Sequence, residues 1–438
     1  MNRFARKTLL ATAAGLALAS GAQAADMPVK AKAVEYVKVC SAYGAGFYYI
    51  PGTDICLRVG GYVFLETGVK GRNAAVDVIY DAAAGPAEFN SNDNYMQWRA
   101  RGHVILDARQ NTAYGTLRAY FVGGVSYATT AANDAGVQAP AGTNTGASLD
   151  RAFIEFAGFT AGFTESFFSF GGAYSIVASA SLPWDWLPLI AYTAQLGNGV
   201  TATLSIEDAG ARRSRTLGGY GGTSTPDIIG NVRVTQAWGS AQIMGALHEL
   251  KRPSPSFGLE TAWGYAFGAG IEVKTPQTGN PNNSVLLQGV WSKGAVEFTG
   301  LAASPVTTAS ALGFRTGASG AATNILDAVE GTTLHKTEAW SAYAGYRHYW
   351  TPALRTGFAA GVTDIGYDEV VQDALPGFFN DARLWQGFVS TIWSPVAGLD
   401  LSLDLVYSNV KVSGCPVVSI CPGTEDVWTA WTRIRRNF

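Results

Sequence analysis

Four arginines, Arg99, Arg101, Arg118 and Arg151, fall on three neighbouring stretches of the chain in which polar and apolar residues alternate. A guanidinium is permanently charged and carries five donors but no acceptor, so it recognises anions and carboxylates and does not exchange protons. If the stretches are adjacent strands, the four cations line one wall. The hairpin turn at 110–114 also sets Arg118 nearly opposite Asp107, so part of this charge is expected to be paired locally. A carboxylate placed to face the wall is Asp185, in the stretch 171–188 that follows the fifth segment. Ile176, Val177, Leu182, Trp184 and Trp186 make that stretch too apolar for an ordinary exposed loop, and it is expected to tuck inward.

Other chemistry is sparse. His103, His248, His335 and His348 lie on separate segments, and none sits beside a Ser or Cys in a nucleophile arrangement, so no catalytic residue is expected. The fragments Gly44-Ala45-Gly46 and Gly268-Ala269-Gly270 lack the rest of a dinucleotide fingerprint, and no cofactor is expected. Four cysteines form two close pairs, Cys40 with Cys56 and Cys415 with Cys421. Neither pair has zinc-ligand spacing or a histidine nearby, so no metal site is expected and two local disulfides are the economical reading. Closing the first loop of about 15 residues would stabilise by ~3 kcal/mol in the chain-entropy treatment.

These residues need elements to hold them, and the pattern is period two. Leu57, Val59, Val63, Leu65 and Val69 share one face of the first segment, and Arg58, Tyr62, Glu66 and Lys70 share the other. In the second, Trp98, Ala100, Val104 and Leu106 alternate with Gln97, Arg99, Arg101, His103, Asp107 and Arg109. Segments of about ten to fifteen residues exceed the ~5 to 6 typical of globular strands and match tilted strands that cross a hydrocarbon layer. Short turns alternate with long loops, and tryptophans edge three short turns at Trp238, Trp350 and Trp393. The final strand is expected to place Trp428, Ala430, Thr432, Ile434, Arg436 and Phe438 on one face, the terminal aromatic sitting in a lipid interface.

Seventeen candidate segments begin near 57, 95, 115, 149, 163, 189, 200, 227, 240, 262, 285, 295, 337, 353, 383, 399 and 426. Reading 285–303 as one long strand restores an even number, giving an all-β transmembrane antiparallel barrel of about sixteen strands with a loop folded into its lumen. The expected boundaries are a cleaved signal peptide at 1–24, a short N-terminal segment at 25–55 and the barrel at 56–438. The signal is read from Arg3, Arg6 and Lys7, the apolar run Leu9 to Ala19 and Ala22-Gln23-Ala24. Without those three cations the 33 acidic residues exceed the basic ones by about five, which excludes an electrostatic footprint for nucleic acid.

Longer matches now stand out. Val37-Lys38-Val39-Cys40, Tyr43 to Asp54, Cys56-Leu57-Arg58 and Gly60-Gly61-Tyr62 form one signature. Phe156-Ala157-Gly158-Phe159-Thr160 with Ser166-Phe167-Phe168, Ala237 to Ala241, Tyr349-Trp350-Thr351-Pro352 with Leu354-Arg355, and Arg435 to Phe438 extend it along the chain. In these residues the chain resembles the alphaproteobacterial outer-membrane porins of the rhizobial and brucella type. The resemblance implies a sixteen-stranded homotrimeric barrel in the bacterial outer membrane, through which small hydrophilic solutes and ions diffuse passively, with the loop after the fifth strand narrowing each pore. Its partners would be those solutes and outer-membrane lipid. Two departures touch the base of that loop. Phe163 stands where a basic or polar residue is common and Ser169 where an Asp is common, so the family's charge pattern does not transfer there.

On this reading Arg99, Arg101, Arg118 and Arg151 bias ion passage, and Asp185 is the loop carboxylate of the constriction. Two other functions fit the same pattern. One is a solute-specific channel using aromatic tracks such as Tyr62, Phe64 and Tyr120. The other is a plugged structural or receptor barrel whose loops at 72–94, 304–336 and 365–382 bind a surface partner.

Overall fold

The computed structural model describes residues 38–70, 80–81, 85–86, 96–129, 143–172, 174–177, 181–210, 212, 222–251, 261–300, 327–330, 334–374, 381–413 and 424–438. Sixteen long strands build the wall. The first eight are β1 (Cys56–Lys70), β2 (Met96–Thr112), β3 (Gly115–Thr129), β4 (Thr143–Phe156), β5 (Phe159–Glu165), β6 (Trp186–Gly197), β7 (Val200–Glu207) and β8 (Asp227–Gln236). The second eight are β9 (Gly239–Lys251), β10 (Thr261–Lys274), β11 (Ser284–Lys293), β12 (Glu338–Tyr349), β13 (Leu354–Gly366), β14 (Ala382–Val396), β15 (Leu399–Val412) and β16 (Thr424–Asn437).

Each strand pairs antiparallel with its sequence neighbours. The last strand pairs with the first, from Tyr62↔Asn437 to Lys70↔Thr429, and reciprocal bonds of 3.0 Å between Phe438 and Gly61 extend the seam. The sheet therefore closes and leaves no edge. Connections of two to four residues join β2–β3, β4–β5, β6–β7, β8–β9, β12–β13 and β14–β15 at one end, together with the nine-residue β10–β11 connection at 275–283, and the remaining longer connections gather at the other.

The hydrophobic pattern is inside out. On β1, Val59, Val63, Leu65 and Val69 are exposed on the outer surface while Glu66 is buried within. His103, Asp107, Gln242, Gln288, Gln386 and Asp404 are likewise buried on inward positions of other strands. A wall with apolar side chains outside and polar ones inside is stable only with hydrocarbon around it and water or polar groups within. Tryptophans mark the two levels where such a wall would meet headgroups. Trp98, Trp186, Trp263, Trp340, Trp385 and Trp428 are exposed near the long-loop end, and Trp238, Trp350 and Trp393 near the short turns.

The expected strand 285–303 is half right. Its wall portion ends at Lys293, so the count of sixteen stands, but Gly294 adopts φ +69° and the chain turns inward into a 3-10 turn, Val296–Thr299. A Cβ at Gly294 would lie 2.8 Å from Leu250 and 3.2 Å from the Gly264 Cα, so glycine permits the turn both conformationally and sterically. All four residues of the turn are buried, with Phe298 edge-on to Phe168 at 4.8 Å. Burial of Val296 and Phe298 outweighs continued strand pairing.

At the N-terminal side, Cys40 and Cys56 are joined in a disulfide, and Tyr48–Tyr49 pairs with the start of β1. The buried Phe47 lies beneath Arg58 and Arg109, whose guanidinium carbons are 5.0 and 5.1 Å from its ring. The expected signal at 1–24 and the pair Cys415 with Cys421 lie outside the described residues.

Candidate functional site

The stretch between β5 and β6 enters the lumen and crosses it. At its root the Ser166 hydroxyl and the Phe167 N–H donate to Glu207 at 2.7 and 3.0 Å. Phe168 and Phe170 are then completely packed, Phe170 against Gly270, where a Cβ would lie 2.1 Å from the ring. Tyr174 covers Gly345 and Gly357 on β12 and β13, and its hydroxyl bonds Glu272 and Ser284, each at 2.8 Å. The Ile176 N–H donates to Asp404 on β15 at 2.7 Å, and the Ser175 hydroxyl donates to the same carboxylate. The Ile176 carbonyl accepts from Arg433 on β16 at 3.0 Å. On the way back the Thr363 hydroxyl donates to Ser181 at 2.8 Å, and Leu182 packs on Gly300. Glycines in the wall make room for the loop, and buried wall carboxylates receive its donors. The stretch is thus docked on nine strands, β7 to β13, β15 and β16.

Tyr174 lies in this loop, outside the spanning strands. Burial pushes its phenol above the ordinary value, and the nearby Glu272 carboxylate adds to the shift against the Ser284 hydrogen bond.

A buried ionic knot holds the root. Arg212, only 2% exposed, contacts Asp185 at 2.9 Å, Glu207 at 3.0 Å and Asp227 at 3.6 Å, and lies 4.3 Å over the Phe298 ring. Burial alone would lower its guanidinium, and the three carboxylates outweigh that and push it up. Asp185 is therefore bound to the knot and does not project alone from the loop.

Where the loop meets β16 it faces the arginine wall. Glu66 on β1 accepts from Arg99 at 2.6 Å and from Arg433. Arg101 donates to Ser126 at 2.8 Å and lies 3.7 Å from Asp150. Arg118 bonds Asp107 at 3.0 Å and Glu155 at 2.8 Å, and Arg151 lies 3.8 Å from Glu165. The structure thus gathers Arg99, Arg101 and Arg118 on one wall, sets Arg151 toward the loop root and gives all four a carboxylate. Aromatic faces order the cations: Arg99, Arg101 and Arg433 surround Phe64 at 5.4, 5.7 and 4.8 Å.

Four inward arginines have no carboxylate within 4.0 Å among the described residues: Arg355, beside Ser394 at 3.5 Å, and three that lie against aromatic rings. Arg435 stacks on Tyr62 at 4.0 Å, Arg347 on Tyr174 at 4.0 Å and Arg233 near Phe170 at 5.2 Å. Arg435 falls opposite the Trp428-to-Phe438 row of the last strand, whereas Arg233, Arg347 and Arg212 were not singled out from the sequence. Alternation around Val232 and Val234 carried a signal for Arg233. Nothing local marked Arg212. On the short-turn side of the loop a polar cavity of about 300 Å³ is lined by Glu155, Glu165, Asn231, Arg233 and Gln242.

A closed inside-out wall with a loop pinned across it is the geometry of a channel, and the family model described as Porin subfamily matches residues 26–431. The chain belongs to this porin family. Porin Omp2b of Brucella melitensis is 35% identical over 254 residues, covering 54% of this chain and 63% of that protein. Porin Omp2b of Brucella canis is 34% identical over 255 residues with the same coverage. The match thus spans less than two thirds of these relatives. Among solved structures, the outer membrane channel DcaP of Acinetobacter baumannii superposes with a TM-score of 0.61 at 14% identity, covering 89% of this chain and 99% of that one. OmpT of Vibrio cholerae does so with 0.51 at 7% identity, covering 89% and 99%. These neighbours share the fold. With its lipid-facing wall and two tryptophan levels, this porin resides in the bacterial outer membrane.

Proposed function

We propose that the porin is a water-filled channel for passive diffusion of small hydrophilic solutes and ions, narrowed by the in-folded loop. The observation that carries the reading is the loop's span from Glu207 to Arg433 inside a closed wall whose inner face is polar. Arg99, Arg101, Arg118 and Arg151 line the lumen as paired cations, Asp185 anchors the loop root, and Arg233, Arg347 and Arg435 add charge with no carboxylate within 4.0 Å among the described residues. The field at the narrowing is therefore positive, and anions are favoured. Family membership supports a channel over an enzyme as the primary role. The family resemblance supports a homotrimer, with residues 1–24 as the export signal.

Planar-bilayer recording of the purified protein tests this reading. Expected are open steps grouped in threes and a reversal potential of anion-selective sign in a salt gradient. A correctly folded barrel that stays silent would transfer the weight to a plugged, partner-binding barrel.

A further inference from the structure

Across the middle of the arginine wall runs a second arrangement. His103 on β2, Gly124 on β3 and Ser148 on β4 are consecutive cross-strand partners. Gly124 has no side chain, and a Cβ there would meet the Gly102 carbonyl at 2.0 Å. The imidazole reaches past it, and His103 Nε2 lies 2.6 Å from Ser148 Oγ. On the other ring nitrogen, Nδ1 lies 2.9 Å from both Asp150 Oδ2 and the Tyr62 hydroxyl, and that hydroxyl donates to the same Asp150 oxygen at 2.9 Å. The register of β3 and β4 shifts between Val122 and Gly123, leaving Asp150 as the extra residue of a bulge. Such a bulge re-aims side chains, and here it turns the carboxylate onto the imidazole.

We propose that Ser148, His103 and Asp150 form an acyl-transfer site in the pore wall that accepts small esters carrying an anionic group. Asp150 holds the Nδ1 proton, so Nε2 presents its lone pair to the Ser148 hydroxyl, the relation that activates a serine nucleophile. His103 is buried and held from three sides, whereas Ser148 keeps partial exposure. Arg101 supplies the compensating charge. Its Nε donates to Ser126, whose hydroxyl is 3.4 Å from Ser148, so a permanent positive charge lies one side chain away from the nucleophile. Arg99, Arg433 and Arg435 attract the anionic end of the ester.

In the step, Ser148 Oγ bonds to the carbonyl carbon as its proton moves to His103 Nε2. Collapse breaks the bond to the leaving alcohol, which takes that proton. Water then cleaves the acyl–serine ester through the same relay and releases the carboxylic acid, so no oxidant or reductant enters.

The sequence concealed this site because its serine and histidine are 45 residues apart. The rival is a polar network that only stiffens the wall, and covalent chemistry separates the two. The purified, folded full-length barrel is treated with a fluorophosphonate probe and peptide-mapped, and 4-nitrophenyl succinate hydrolysis is followed in parallel. Expected is a single adduct on Ser148, absent in S148A and retained in S402A, a serine on β15 away from the site. Hydrolysis should exceed that of S148A by roughly the 10²-fold typical of positioned acid–base groups, with H103Q equally impaired. Heat-modifiable gel migration reads folding independently. No adduct on Ser148 of the folded wild-type barrel, or equal labelling of other hydroxyls, would overturn the proposal, whether or not the same protein conducts in a bilayer.

Discussion

Removing the carboxylate of Asp404 should release the loop from the far wall. This side chain is fully buried on β15 and accepts from the Ser175 hydroxyl and the Ile176 N–H, the only loop donors it receives among the described residues. A hydrogen bond to a charged group contributes ~1.5–3 kcal/mol, so two represent about 3–6 kcal/mol of docking. Part of that is offset in Asp404→Ala, because burying a carboxylate itself costs free energy. A net loss of ~2–4 kcal/mol lowers the docked-to-undocked ratio by about 30 to 10³. Asp404→Asn keeps the volume and one acceptor oxygen and should fall about midway. Single-channel recording reads the outcome as larger, noisier open levels, and liposome swelling reads it as faster entry of bulkier sugars. Wild-type conductance, noise and size cut-off in folded D404A would refute the reasoning, because the loop would then be held by something other than these bonds.

The double variant R99Q/R101Q removes two positive charges while Glu66 and Asp150 remain. At ~10 Å in a water-like dielectric each charge acts with about 0.4 kcal/mol, favouring the anion and opposing the cation by that amount, so the anion-to-cation permeability ratio should drop about 15-fold, and an unchanged reversal potential would remove both residues from the narrowing. Tyr174 gives an alkaline signature. Because its phenol is held above the ordinary value of about 10, its contribution to loop docking is complete below that pH and is lost as pH rises toward the folded-state value. Difference titration of wild type against Y174F by tyrosinate absorbance should show this residue ionising above the ordinary tyrosine range, and channel noise above pH ~10 should rise in the wild type first. Gly270→Val would drive a side chain into the Phe170 ring, where even a Cβ lies at 2.1 Å. A loss of ~1–3 kcal/mol from overpacking is expected, read as earlier thermal unfolding of the solubilised barrel.

What the residues determined alone was the wall. A strand buries one face only if its period is two, so the rows Val59, Val63, Leu65 and Trp98, Ala100, Val104 were enough to assign outward and inward positions on β1 and β2. Turn chemistry then yielded the alternation of connections and the even strand count. Local spacing also sufficed for Cys40 with Cys56 and for Arg118 opposite Asp107, since each pair lies within one short hairpin or loop. Tertiary structure decided everything that joins distant strands. The inward turn after Lys293 depended on Phe298 finding Phe168. Asp185 was legible as a loop carboxylate, but its capture by Arg212 was not, because the knot draws on residues from β7, β8 and two loops. The same holds for Ser148 and His103, whose meeting depends on a glycine in the strand between them and a bulge in the next. Alternation is a one-dimensional signal that states which way a side chain faces. Which side chains meet across a lumen depends on closure of the sheet and on the path of the loop inside it.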